Sequence, residues 1–251
     1  DHSFGLFDSA QILRIEIPFT REELSDAQCK VFTANNLTEG YLRPVVYLGS
    51  EAMGLRAEGL SVNVAIACWP WPDYMDPEAR EVVIKVRTSS YTRHHVNITM
   101  CKAKANGNYI NSILALRDAI DSGCDEALLL DNEGCVAEGS GENVFMVNEG
   151  VIHTPELTSC LPGITRDTIL TFAKELGIKV IERRITRDEI YIADEAFFTG
   201  TAAEVLPIRE LDGRIVGEGG RGPITEQLQS RYFEQVRGHR EAHPEWHTKV
   251  S

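Results

Sequence analysis

The 251-residue chain has no apolar run of transmembrane length, no visible signal peptide and no excess of positive charge. The first absence gives no candidate for a membrane-spanning helix within these residues. With 25 Lys and Arg against 38 Asp and Glu, the net charge is -13. That balance speaks against a nucleic-acid surface or an anionic membrane as partner. The six cysteines show no C-x-x-C spacing, so they read as free thiols of a reducing cytoplasm and not as disulfides. No G-x-S-x-G elbow supports a serine nucleophile. His94 and His95 are adjacent, point to opposite faces if extended, and have no acidic or cysteine partner at ligand spacing, so no metal is expected. What remains is 43% hydrophobic and 25% charged, an ordinary globular composition with enough chain for one large domain or two modest ones.

Periodicity places the elements. Thr20-Arg-Glu-Glu-Leu24 opens a helix to about Asn35, with Thr20 as cap. Strand-like runs follow at Val45–Leu48 and Val62–Cys68. The proline-broken stretch from Trp69 to Pro77 marks a domain boundary. Glu81–Ser89 alternates as a half-buried strand. A helix fits Asn108 to Ser122, with Ile110, Ile113, Leu114 and Ile120 on one face and Gly123 at its end. Ala127–Leu130, Val144–Val147 and Val151–His153 read as strands. Thr165–Leu176 is the clearest helix, with Ile169, Phe172, Ala173 and Leu176 at helical spacing. Strand Val180–Arg184, the capping box Thr186-Arg-Asp-Glu189, strand Glu195–Thr199 and a helix opened by Pro223 complete the chain. Strands outnumber helices in mixed order, so the fold class is α+β.

Two glycine turns can receive an anion. At Leu161-Pro-Gly-Ile-Thr165, backbone N–H groups at a helix start point outward with the positive end of the dipole. Gly200-Thr-Ala202 follows a strand and adds free amides with the Thr201 hydroxyl. Taken singly, each reads more readily as an ordinary cap. Glu138-Gly-Ser-Gly-Glu-Asn143 sets two carboxylates in a glycine-rich turn. A carboxylate beside a pyridine nitrogen keeps that ring protonated and makes it an electron sink, although glutamates beside glycine more often form solvated loops. Lys102 and Lys104 are the lysines that could attack a carbonyl, and spacing alone does not choose between them. A ligand with a cationic ring nitrogen and a phosphate, held near a lysine, points to pyridoxal phosphate. Arg43 can clamp a carboxylate bidentately or simply form a surface ion pair.

Together these residues resemble the fold-type IV pyridoxal phosphate enzymes, and among them the branched-chain amino-acid aminotransferases. The resemblance runs from Leu6-Phe-Asp-Ser-Ala10 to about Gly238. It is most specific at Lys104-Ala-Asn-Gly-Asn-Tyr109, Glu138-Gly-Ser-Gly-Glu-Asn143, Leu161-Pro-Gly-Ile-Thr-Arg-Asp167 and Gly200-Thr-Ala-Ala-Glu204. It implies a small α/β domain over 1–68, a connector over 69–79 and a larger pseudo-barrel cofactor domain over 80–251. It also implies roles. Lys104 would be the catalytic lysine, Glu138 the partner of the ring nitrogen and Tyr109 that of the phenolic oxygen. Gly163, Ile164, Thr165, Gly200 and Thr201 would bind the phosphate, with Leu161 packed on the ring. Thr201 and Ala202 would receive the substrate α-carboxylate, Tyr41 and Arg43 would serve the substrate side, and Met53, Gly54 and Leu55 would form a pocket loop shared between subunits. Tyr74 matches a connector residue.

The implied reaction moves an amino group between branched-chain L-amino acids and 2-oxoglutarate in a cytoplasmic homodimer or larger assembly. D-amino-acid transamination, an aminodeoxychorismate lyase and a non-catalytic or incomplete homologue are the alternatives. Two departures from the family pattern stand out. Family members carry N-terminal strands before the point matching Asp1, so a missing start is expected. They also place an arginine on the phosphate where this chain has Gly5. A charge-assisted contact of about 1.5–3 kcal/mol would be lost there, weakening cofactor binding roughly 10- to 100-fold.

Overall fold

A computed structural model of the chain describes residues 2–71, 82–239, 242–248 and 250. Tyr74, and most of the proline-broken stretch around it, lie outside the described residues. The chain divides into two compact units, Asp1–Asp76 with Pro244–Ser251, and Pro77–His243.

In the first unit, helices α1 (His2–Ile12) and α2 (Arg21–Ala34) precede strands β1 (Tyr41–Leu48) and β2 (Val62–Trp69). The Thr20 cap forms as expected, and it is reciprocal. The Glu23 amide donates to Thr20 Oγ1 (3.1 Å) while the Thr20 amide donates to Glu23 Oε2 (2.8 Å), so two otherwise unpaired donors are satisfied. α1 has no clear apolar stripe, which is why periodicity did not reveal it. Its Ser3 instead accepts a bond from Gln28 of α2 (3.1 Å). β1 and β2 form an antiparallel hairpin in which Tyr41 faces Trp69. β1 begins at Tyr41, so Arg43 lies inside the strand and not ahead of it.

The second unit is built on a nine-stranded mixed sheet. Its strands are β3 (Ile84–Thr88), β4 (Glu126–Leu130), β5 (Val136–Gly139), β6 (Asn143–Asn148), β7 (Val151–Thr154), β8 (Val180–Glu182), β9 (Glu195–Gly200), β10 (Glu204–Leu211) and β11 (Arg214–Ile215). The order is β5-β4-β3-β10-β9-β6-β7-β8, with β11 against β10. The two ends of that order approach each other. Cys135 and Thr186 form an isolated bridge, and the Val136 amide donates to the Ile185 carbonyl (2.8 Å). The sheet therefore curls toward closure, as a sheet must when it hides its edges. One face, carrying Ile84, Val86, Leu128, Val144, Met146, Phe198 and Ile208, forms the main core.

Among the described residues, four α-helices complete this unit: α3 (Tyr109–Asp121), α4 (Ile164–Glu175), α5 (Arg187–Tyr191) and α6 (Pro223–Val236). α4 buries Ile169, Phe172 and Ala173 as the periodicity predicts. Glu195 of β9 starts α6, accepting from the Ile224 (3.0 Å) and Thr225 (2.7 Å) amides. The expected face of α3 is corrected. Ile110, Ile113, Leu114 and Ile120 are exposed, at 63%, 49%, 39% and 55%. Ser112, Ala115 and Ala119 are buried instead, with Ala127 and Leu129 of β4 packed against the two alanines. Small side chains let the helix backbone approach the strand closely, and the larger aliphatics then have no room inward. Among the described residues, no helix is long and apolar enough to cross a membrane.

Candidate active site

Glu138 lies in β5, opposite Leu129 of β4, and is 6% exposed. The expected glycine turn therefore begins only after it, and Glu142 alone occupies the turn. Three donors hold the Glu138 carboxylate. Arg93 Nη2 reaches Oε1 at 2.7 Å, and the Leu161 amide donates to Oε2 at 3.1 Å, with Asn143 Nδ2 at 3.5 Å from the same oxygen. Asn143 Nδ2 also donates to the Leu161 carbonyl (2.9 Å). The carboxylate is thus tied to the turn that opens α4.

Gly163 precedes α4 with an extended backbone, and no side chain caps the first-turn amides. Its lack of a Cβ serves packing. A Cβ there would lie 2.1 Å from Asn143 Oδ1. Thr165 is buried, and its hydroxyl bonds that of Tyr232 in α6, whose phenol burial pushes up to about 12. The Gly200-to-Glu204 segment is a tight hairpin between β9 and β10, with Glu204 at φ 55°. A Cβ on Gly200 would meet the Gly141 carbonyl and Glu142 Cγ at 3.4 Å. The fold therefore brings the three glycine-bearing turns into contact, because β6 pairs with β9 and starts at Asn143 opposite Thr199. Thr199 itself has a buried Oγ1 with no hydrogen-bond partner.

The two lysines left open by spacing differ in their surroundings. Lys102 Nζ donates to the carbonyls of Leu157 and Cys160, the latter at 2.8 Å. It anchors the 155–161 loop. Lys104 is exposed at the mouth of α3, 5.9 Å from the Tyr109 ring centroid. Its charge acts on both Glu138 and Glu142. Asn108 holds the segment before it, donating to Met100 and Ala103 carbonyls at 3.2 Å.

Burial pushes Glu138 up to about 7, opposed by Arg93, the Leu161 N–H, Lys102 and Lys104. Glu142 is raised too, by burial and by the nearby Glu126 carboxylate. Burial raises both Cys101 and Cys160, the latter to about 12, so neither supplies a thiolate. Cys101 Sγ sits 3.3 Å from His94 Nε2, and burial followed by the Arg93 charge lowers that imidazole. The pair is neutral.

The remaining expected residues belong to the first unit. Tyr41 packs against Trp69 (5.2 Å) and Trp71 (4.8 Å), and the Arg43 guanidinium lies 5.3 Å from the Tyr41 ring centroid. Met53 and Leu55 are fully exposed in the hairpin loop, with Gly54 between them at φ 127°. Sequence reasoning missed Arg93, which no local pattern distinguishes from a surface arginine. It also gave Asn143 no role, although a Gly-Glu-Asn run entering a buried strand was a usable signal.

A curled mixed sheet whose buried Glu138 carboxylate is bonded to the uncapped turn opening α4, within the field of Lys104, is the framework of a class IV aminotransferase. Residues 1–211 match the model of the amino-transferase class IV family, and the chain belongs to that family. The branched-chain-amino-acid aminotransferase of Pseudomonas aeruginosa is 62% identical over 249 residues, covering 99% of this chain and 81% of that protein. The solved branched-chain amino acid aminotransferase of T.th. with pyridoxamine 5'-phosphate aligns at TM-score 0.97 and 44% identity, over 100% of this chain and 82% of that one. The same enzyme complexed with N-(5'-phosphopyridoxyl)-L-glutamate aligns at TM-score 0.93 and 43% identity, with the same coverage.

The residues present fit a phosphopyridoxyl group. Burial pushes the Glu138 carboxylate up to about 7 despite Arg93, and a ring N–H cation beside it would favour its ionised form. The start of α4 has no side-chain cap on its first-turn amides, and such a helix start suits a phosphate.

Proposed function

We propose that this chain is a pyridoxal phosphate-dependent transaminase exchanging the amino group between branched-chain L-amino acids and 2-oxoglutarate. The observation that carries the reading is the Glu138 carboxylate, buried within the field of Lys104 and bonded to the turn that opens α4. Relatives named as branched-chain aminotransferases, with pyridoxamine phosphate or a phosphopyridoxyl-glutamate bound, support both cofactor and substrate class.

The cofactor supplies an aldehyde that takes the amino nitrogen and a ring that accepts charge from the substrate α-carbon. The protein does the rest. Glu138 holds the ring nitrogen protonated, and Tyr109 donates to the phenolic oxygen. Lys104 binds the cofactor through its amine and, once displaced, moves the proton at the substrate Cα. The amides of Ile164 and Thr165, beside Gly163, hold the phosphate, with Thr201 and Gly200 opposite and Leu161 against the ring. Gly5 adds no cation to that set. Thr201 and Ala202 receive the α-carboxylate. Tyr41 and Arg43 serve the substrate side chain, Arg43 taking glutamate's distal carboxylate, and Met53, Gly54 and Leu55 close an otherwise apolar pocket. The 69–79 connector, with Tyr74, links a small substrate-side domain to the larger cofactor domain. We assign the enzyme to the cytoplasm. We take it to be a homodimer or larger, a reading supported by the exposed aliphatic side of α3.

Borohydride reduction and peptide mapping test the reading. A pyridoxyl adduct is expected on Lys104, and Lys104→Ala should lose at least about a thousandfold in turnover. Lys102→Met should keep the adduct while losing stability. An adduct on Lys102, or none at saturating cofactor, would overturn the assignment. Preference for D-alanine over L-leucine with 2-oxoglutarate would overturn the substrate class.

A further inference from the structure

Arg93 sits in the loop after β3, where nothing in Tyr91-Thr-Arg-His-His95 marks it. Its amide donates to the Leu130 carbonyl (2.8 Å), which registers the loop on β4 next to β5. The residue is 7% exposed. Its guanidinium spans two elements, with Nη2 on Glu138 Oε1 at 2.7 Å and Nη1 on Ser112 Oγ of α3 at 3.5 Å. Its Nε has no partner. A buried arginine with one donor unmet is costly, so its charge must be needed where it lies.

That need is Glu138. Facing this carboxylate are the cations Arg93, Lys102 and Lys104, the Glu142 carboxylate, and the thiols of Cys101 and Cys160. Lys102 spends its hydrogen bonds on the carbonyls of Leu157 and Cys160. Lys104 stops being a free ammonium when its amine bonds a carbonyl carbon. Of these three cations, Arg93 combines direct contact with a charge that persists at every working pH. Glu138 Oε2 already accepts from the Leu161 amide and Asn143 Nδ2, whereas Oε1, which takes Arg93, still has a lone pair for one further donor.

We propose that Arg93 is a positioning residue that keeps Glu138 ionised and aims its carboxylate at the cofactor's ring nitrogen. The protonation of that nitrogen is then set by the Arg93–Glu138 pair, and not by the glutamate by itself. The proposal rests on the pyridoxal phosphate reading above. Ser112 supports the pair by fixing the guanidinium from α3, which links the helix bearing Tyr109 to the charge of the ring site.

The test compares equilibrium binding of two compounds to the cofactor-free full chain: pyridoxal 5'-phosphate and its 1-deaza analogue, in which C–H replaces the ring nitrogen. The wild type should prefer pyridoxal phosphate. Arg93→Met should weaken pyridoxal phosphate about 10- to 100-fold, the loss of one charge-assisted contact, and leave the deaza analogue within about threefold. Arg93→Lys should restore most of the preference. Equal losses for both compounds would mean a purely structural role and overturn the proposal. Should Arg93→Met not fold, the double variant Arg93→Met/Glu138→Gln removes the unpaired charge. It should then bind the two compounds equally, and a retained preference would overturn the proposal. A wild type that binds neither compound and forms no adduct on Lys104 would instead overturn the cofactor reading on which the proposal stands.

Discussion

At the scale of single residues, Glu138 holds a proton more tightly in the folded chain than a free carboxyl does, at about 7 against 4.5. A pKa raised by folding contributes stability that is present in full below the unfolded value and is lost as pH rises through the folded one. In the cofactor-free protein, the wild type should therefore lose stability between about pH 4.5 and pH 7 relative to Glu138→Gln. Denaturant unfolding at pH 5 and pH 8 should show the gap widening by up to about 3 kcal/mol. An unchanged gap would mean that Glu138 is ionised throughout that range. The sequence marked two carboxylates, Glu138 and Glu142, in an unusual run before a buried strand, and only the family resemblance singled out Glu138. Its strongest partner was not legible. Arg93 is distant in sequence and becomes a neighbour only after β3, β4 and β5 line up. Spacing left Lys102 and Lys104 open and the family resemblance named Lys104; the fold adds that Lys102 spends its ammonium on the Leu157 and Cys160 carbonyls.

At the scale of elements, the capping boxes at Thr20 and Thr186 could be read directly, since their bonds lie within a single turn of chain. The apolar face of α3 could not. Periodicity reports that large aliphatics share a side, but not which side meets the sheet, and here the small side chains do. The turn before α4 carries a prediction at this scale. Gly163→Ala places a Cβ 2.1 Å from Asn143 Oδ1, so the amide must move and release the Leu161 carbonyl. Thermal denaturation should report a loss of about 1–3 kcal/mol, and pyridoxal phosphate should bind roughly tenfold more weakly, the cost of loosening one bond to Glu138. Gly141→Ala, whose Cβ meets nothing within 4 Å, is the matched control and should change neither. Equal effects from both substitutions would sink the account.

For the whole molecule, the exposed row Ile110, Ile113, Leu114 and Ile120 is the feature that solvent alone does not explain. If copies of the chain associate through it, Ile113→Glu should shift sedimentation velocity toward the monomer and leave unfolding of each protomer nearly unaltered. A wild type that already sediments as a monomer would remove the basis for that expectation. Composition, the α+β class, the helix starts and the four motifs of the family were determined by the sequence, because each depends on neighbours along the chain or on residue types with narrow chemistry. Tertiary structure alone decided that Glu138 sits in a strand, that Gly163 is small for the sake of Asn143, and that Arg93 belongs to the site. Those outcomes depend on strand order and on the curl that brings three turns together. Contacts between residues far apart in the chain leave no periodic trace, so only the folded sheet could reveal them.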